Sequence, residues 1–124
     1  MRTARLISLM LAVLLLGQSL PVWGQGPPSP QGLPTILAFD RKLCPFCHQV
    51  EVTLEEIQKQ YPGQLVVRLL FIDEREPMFK RFHIAIVPTQ VFLDPAGKEV
   101  FRHEGVYPKE ELIQKLKELK FIRD

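Results

Sequence analysis

Cysteine is nearly missing from this 124-residue chain: Cys44 and Cys47 are the only two. Without a second pair, a closed tetrahedral zinc site cannot be assembled from thiolates. No cysteine follows the N-terminal apolar run, so no residue there could carry a lipoprotein's lipid. No basic stripe is present either; charges of both signs are interspersed, which argues against nucleic acid and anionic lipid as partners. No internal repeat occurs. The apolar run Leu6 to Leu16 falls short of the roughly 20 residues of a permanent spanning helix.

That run is instead flanked as an export leader is. Met1-Arg2-Thr3-Ala4-Arg5 supplies a basic start, and Gly17-Gln18-Ser19 a polar break. Val22 and Gly24 are suitably small for a cut before Gln25, with Ser19 marking a weaker site. A cleaved signal peptide over residues 1–24 is expected, the alternative being an uncleaved membrane anchor. Its removal takes away Arg2 and Arg5 and leaves equal numbers of basic and acidic residues. Residues 25–34 hold Pro27, Pro28, Pro30 and Pro34 with Gly26 and Gly32, a composition that reads as an extended linker. A single compact domain is expected over residues 35–124.

Within that domain, Thr35 to Asp40 is a short apolar run suited to a buried strand. From Cys44 to Tyr61 the apolar residues Val50, Leu54, Ile57 and Tyr61 fall at helical spacing, and Pro62-Gly63 stops the helix. Leu65 to Ile72 reads as a second strand, and Glu74 to His83 as a short helix with Phe79 and Phe82 on its apolar side. Gln90 to Leu93 reads as a third strand. Asp94-Pro95-Ala96-Gly97 is turn chemistry leading to a fourth, Glu99 to Arg102. Pro108 opens a last helix carrying Leu112, Leu116 and Leu119. The order β-α-β-α-β-β-α predicts an α/β fold: a four-stranded mixed sheet with helices on both faces.

Cys44-Pro45-Phe46-Cys47 stands where the first strand ends and the first long helix begins. Two thiols at this spacing suit a reversible redox pair. The same residues, with His48, could carry a soft metal such as copper(I), and an exported chain could also use the pair as a structural disulfide in a binding module. So small a ring contributes only about 2 kcal/mol in the chain-entropy account, less than a longer loop would. Pro45 suits the first helical turn, where a missing N–H costs nothing, and this puts Cys44 at the cap. A thiolate there gains about 1–2 kcal/mol from the helix N-terminus, which lowers its pKa by roughly one unit. Cations in the adjoining loop, Arg41 and Lys42, are screened by solvent and add little. Cys44 is the expected nucleophile, and Cys47, inside the first turn, the buried resolving thiol. His83 and His103 have no ligating spacing.

This arrangement resembles the thioredoxin-like superfamily, more narrowly its small exported thiol:disulfide interchange proteins. The residues that carry the likeness are Cys44-Pro45-Phe46-Cys47, Phe82 to Thr89 with Val87-Pro88-Thr89, Asp94 to Lys98, and Glu104-Gly105-Val106. It implies a trimmed thioredoxin fold and a cis peptide bond before Pro88, with Val87 presenting its backbone beside the cysteines. It also implies a substrate groove bordered by Gly105. Phe46 itself reads either as an exposed apolar contact for partner chains or as packing over the helix start. The family's catalysts exchange disulfides with protein thiols and need no bound cofactor or metal. A redox partner recharging the pair and a monomeric state are expected.

The chain also departs from the thioredoxin pattern. Leu43 precedes the first cysteine where thioredoxins have Trp, and Pro-Phe stands between the thiols, closer to the glutaredoxin Cys-Pro-Tyr-Cys. The glutaredoxin Gly-Gly-x-Asp is absent. By analogy the potential lies nearer the glutaredoxin range of about −200 to −230 mV than the roughly −270 mV of thioredoxin. Thioredoxins bury an aspartate on the first strand near the second cysteine, and the matching position is Ala38. Deprotonation of Cys47 is then left to water or to a neighbour such as Asp40.

Overall fold

The computed structural model describes residues 32–124; the expected leader over residues 1–24 and most of the linker lie outside the described residues. Strand β1 (Thr35–Asp40) is buried at all six positions and forms the middle of the sheet. Strand β2 (Val66–Phe71) runs parallel to it, pairing from Thr35↔Val66 to Asp40↔Phe71. On its other side β3 (Thr89–Leu93) is antiparallel, from Thr35↔Leu93 to Phe39↔Thr89. Strand β4 (Glu99–Glu104) closes the order β2-β1-β3-β4. A strand flanked on both edges and covered on both faces has no solvent side, which is why Thr35 to Asp40 reads as an unbroken apolar run rather than an alternation.

Alternation along β1 still separates two cores. Ile36 and Ala38 join Val50, Leu54 and Ile57 of helix α1 (Pro45–Gln60) and Leu112 and Leu116 of helix α3 (Lys109–Glu118). Leu37 and Phe39 face the other way, into a cluster with Phe79 and Phe82. Phe79 belongs to helix α2 (Ile72–Arg81), and Phe82 caps it. The Phe39 ring lies 5.0 Å from Phe79, edge-on, and 5.5 Å from Phe82. The chain thus has the expected α/β fold, a four-stranded mixed sheet with helices on both faces.

The larger differences from the sequence reading are in α2 and β4. Helix α2 begins two residues earlier than its expected start at Glu74, and its backbone breaks at Arg75 (φ −131°) ahead of Pro77. Proline withholds the N–H that would bond a carbonyl one turn back and crowds the preceding turn, so the two helical pieces meet at an angle. Strand β4 extends to Glu104 because Thr89 offers it a partner, Thr89↔Glu104. The turn between β3 and β4 is held by Asp94, whose Oδ1 accepts the N–H groups of Ala96 and Lys98 at 3.0 and 2.9 Å.

Candidate active site

The carboxyl end of β1 delivers the chain into a four-residue loop, Arg41 to Cys44, and α1 starts at Pro45. Lys42 ties this loop to the start of α2: its backbone N–H donates to Asp73 at 3.4 Å and its ammonium meets Glu74 at 2.7 Å. That cation is therefore neutralised by Glu74 instead of serving the cysteines. Leu43 adopts a left-handed conformation (φ 58°) with its side chain wholly in solvent. A non-glycine residue there costs about 1–2 kcal/mol.

Cys44 is the N-cap of α1, in extended conformation, and its sulfur accepts the Cys47 N–H at 3.2 Å. Pro45 occupies the first helical position, as the sequence predicts. The two cysteines form a disulfide with Cα atoms 5.2 Å apart. Their environments differ. Cys47 is fully buried, the first buried residue of α1, while Cys44 is half-buried and lines a cleft of about 610 Å³ with Arg41, Pro45, His48, Glu51 and Phe71. One cysteine borders the cleft, and the other is closed to solvent.

The second loop of the site comes from the far side of the sheet. The Val87–Pro88 peptide is cis. Pro88 is buried, one step beyond the Phe39↔Thr89 pair and so level with Asp40 at the cysteine end of the sheet. The Gly105 N–H donates to the Pro88 carbonyl at 2.7 Å, and the Thr89 hydroxyl donates to the Ile86 carbonyl at the same distance. Gly105 has φ 92°, a conformation that favours glycine. Val87 lines a smaller cleft with Ile72, Phe79, Ile84 and Ile86; Arg41 lines both clefts and so stands between them. Phe46 is 66% exposed and Ile86 48%, leaving apolar surface at the helix start and at the proline loop.

Of the three histidines, only His48 lines the cleft of Cys44. His48 Nδ1 lies 3.5 Å from Glu51, with most of its ring in solvent. His103 is stacked on Tyr107 at 4.0 Å. His83 is exposed. Among the described residues, no group of three or more His, Cys, Asp or Glu side chains is placed to hold a metal ion.

Asp40 is the residue that sequence reasoning undervalued. It is fully buried, and neither carboxylate oxygen has a protein partner. Burial, with the Glu51 charge as a smaller cause, raises its pKa from 3.8 to about 7. The acid that Ala38 lacks is thus present one pleat further along the same face of β1. Its signal was the phase of the strand: Ile36, Ala38 and Asp40 share one face.

The chain is 28% identical over 87 residues to a curated relative from Synechocystis sp. (strain ATCC 27184 / PCC 6803 / Kazusa), "Thiol:disulfide interchange protein TxlA homolog". The match covers 68% of this chain and 48% of the relative, so the chain spans about half the length of that protein. A solved structure described as that of a malarial protein shares the fold, with TM-score 0.64 at 21% identity over 69% of this chain and 96% of that one. Among the described residues no helix is long and apolar enough to cross a membrane. The family model "Thioredoxin-like domain" matches residues 29–120, which reach into the expected linker and take in both cysteines and the Pro88 loop. The chain belongs to this thioredoxin-like family.

Proposed function

We propose that the protein is an exported thiol–disulfide oxidoreductase that exchanges disulfides with protein substrates through Cys44 and Cys47. The observation that carries this reading is the asymmetry of the pair: Cys44 caps a helix and opens on a cleft, while Cys47 is sealed beneath it. Only a thiolate attacks a disulfide, and the cap stabilises a thiolate at Cys44 through the helix terminus and the Cys47 N–H.

In the reductive direction the Cys44 thiolate attacks a substrate disulfide. A Cys44–substrate bond forms, and the first substrate thiolate leaves with the electron pair. Cys47 then attacks Cys44, the mixed disulfide breaks, and the second substrate thiol departs reduced while the Cys44–Cys47 disulfide forms. The reverse sequence oxidises a substrate dithiol. An external redox partner restores the starting state in either case. Phe46, Val87, Pro88 and Gly105 form the surface on which the substrate chain lies. Export rests on the leader pattern of residues 1–24.

Cys47→Ser should accumulate substrate proteins disulfide-linked to Cys44, visible on non-reducing gels and released by reductant, whereas Cys44→Ser should trap none. Equal trapping by both variants, or by neither, would refute the assignment. Cell fractionation of the full chain should place it outside the cytoplasm with the leader removed.

A further inference from the structure

Strand β3 is buried at all five positions, yet its second residue is a glutamine. Gln90 pairs with Ala38 of β1 on one side and with His103 of β4 on the other. Residues directly opposite in antiparallel strands project to the same face, so Ala38, Gln90 and His103 form a row across the sheet. The row lies on the face that α1 and α3 cover, where Ala38 joins the core.

Both polar members of the row reach one turn, the connection between β4 and α3. Gln90 Nε2 donates to the Gly105 carbonyl at 3.3 Å, and His103 Nε2 lies 3.1 Å from the Val106 carbonyl. A carbonyl only accepts, so the hydrogen of that contact sits on His103 Nε2. The His103 ring is stacked on Tyr107, which is itself part of the core. From the other side the Gly105 N–H donates to the Pro88 carbonyl at 2.7 Å. Three bonds thus hold three consecutive peptide groups of the turn.

Packing alone does not call for an amide at position 90. Gln90 is fully buried and its Oε1 has no protein partner, a cost that an apolar side chain of the same length would not incur. What the amide supplies is a donor for Gly105. That glycine has φ 92°, and a carbon added to it would meet no atom within 4 Å. Glycine is the residue with most conformational freedom to lose. Here both of its polar groups are bound inward, to Pro88 and to Gln90, and its bare side faces open space.

We propose that Gln90 and His103 are positioning residues that hold the Gly105 turn as a pre-formed wall of the substrate groove, fixed against Pro88. This rests on the oxidoreductase reading and on the surface assigned there to the substrate chain. The effect is pre-organisation. A glycine turn ordered anew by each arriving chain would set that ordering against binding, whereas a turn pinned beforehand carries the cost in the fold. The gain is confined to substrates long enough to lie along the wall. A small disulfide meets Cys44 alone, and neither Gln90 nor His103 lines the cleft of Cys44.

The test compares two mixed disulfides of 5-thio-2-nitrobenzoate with the fully reduced full chain. One carries N-acetylcysteine amide, the other a capped heptapeptide with valines and serines around a central cysteine. In both, the Cys44 thiolate attacks the cysteine sulfur, the Cys44–cysteine bond forms, and the coloured thiolate leaves with the electron pair. The leaving group is the same, so the ratio of the two rates reads only what the peptide chain adds. The wild type should prefer the peptide conjugate several-fold. Gln90→Met, close in shape but without hydrogen bonds, should lower that ratio about fivefold, the scale of one lost hydrogen bond, and leave the amino-acid rate unchanged. His103→Phe keeps a ring against Tyr107, loses the donor, and should lower the ratio in the same direction; it decides alone if Gln90→Met does not fold. A wild-type preference retained in the folded variants overturns the proposal and leaves the oxidoreductase reading intact. So does a fall in the urea midpoint of Gln90→Met with the preference retained, which marks a packing role. A wild type that attacks both conjugates without preference overturns the groove and its wall together. A wild type that releases no coloured thiolate from either overturns the oxidoreductase reading as well.

Discussion

Replacing Asp40 with asparagine keeps the outline of the side chain and removes its charge, which isolates the cost of ionising a buried carboxyl. In the unfolded chain Asp40 releases its proton near 3.8; in the fold, burial first and the Glu51 charge second hold the proton to about 7. Between those values the folded state binds the extra proton, so stability falls as pH rises. Below 3.8 both states are protonated and nothing is lost; above about 7 the loss is complete. A shift from 3.8 to about 7, at 1.36 kcal/mol per unit, is worth about 4 kcal/mol. Partial hydration of the ionised site reduces this, and a difference of about 2–4 kcal/mol is expected.

The asparagine side chain never ionises. The Asp40→Asn variant should therefore match the wild type near pH 4 and exceed it by about 2–4 kcal/mol at pH 8, measured by urea unfolding of the oxidised proteins. Oxidation matters because cysteines in a disulfide do not titrate and so add no pH dependence of their own. Other groups, such as His48 and His103, are common to both proteins and cancel in the difference. Glu51→Gln should give a smaller gain in the same direction, since it removes only the lesser of the two causes. A stability difference between wild type and Asp40→Asn that is the same at pH 4 and pH 8 would show that Asp40 ionises in the fold as it does in water.

Phe39→Ala removes the ring between Phe79 and Phe82 and should cost about 3–5 kcal/mol in urea unfolding, since no neighbour can collapse into the fully buried space. Gly105→Ala meets no atom within 4 Å of the added carbon, so its expected loss of about 1–2 kcal/mol comes from the backbone alone (φ 92°); a loss near zero would refute that. Ala38→Asp sets a second carboxyl on the face that already holds Asp40. Its destabilisation should grow between pH 4 and pH 8, and a cost independent of pH would mean the new acid stays neutral or finds solvent. Lys109→Ala breaks an exposed ion pair with Glu56 (3.0 Å) and should change stability by less than about 1 kcal/mol.

The elements that periodicity could reveal were those with local causes. The run Thr35 to Asp40 and the stripe Val50, Leu54, Ile57, Tyr61 follow from which faces are covered, and Pro45 marks the helix start through its missing N–H. What depended on distant partners was not legible. Ile72 reads as the end of a strand because it is β-branched and follows Leu69, Leu70 and Phe71, yet β2 stops where its pairing with β1 stops, at Asp40↔Phe71. The last two residues of β4 likewise exist as strand only because Gln90 and Thr89 stand opposite them.

The acids of the site are the instructive case. Asp40 reads as the last residue of a buried strand and a neighbour of Cys47, and Glu51 is not singled out by the sequence. Placed against the periods, both are out of order. Asp40 is in phase with Ile36 and Ala38, on the inward face, and Glu51 falls with Cys47, Val50 and Leu54 at the spacing 0, 3, 4, 7 of a buried stripe. A carboxyl in a position that the pattern reserves for an apolar side chain costs stability unless it is neutral or partnered. At Asp40 that cost shows as a carboxyl whose pKa burial raises to about 7, with the Glu51 charge as the lesser cause. The same Asp40→Asn change that removes the buried carboxyl should therefore gain stability above neutral pH and leave it unchanged near pH 4.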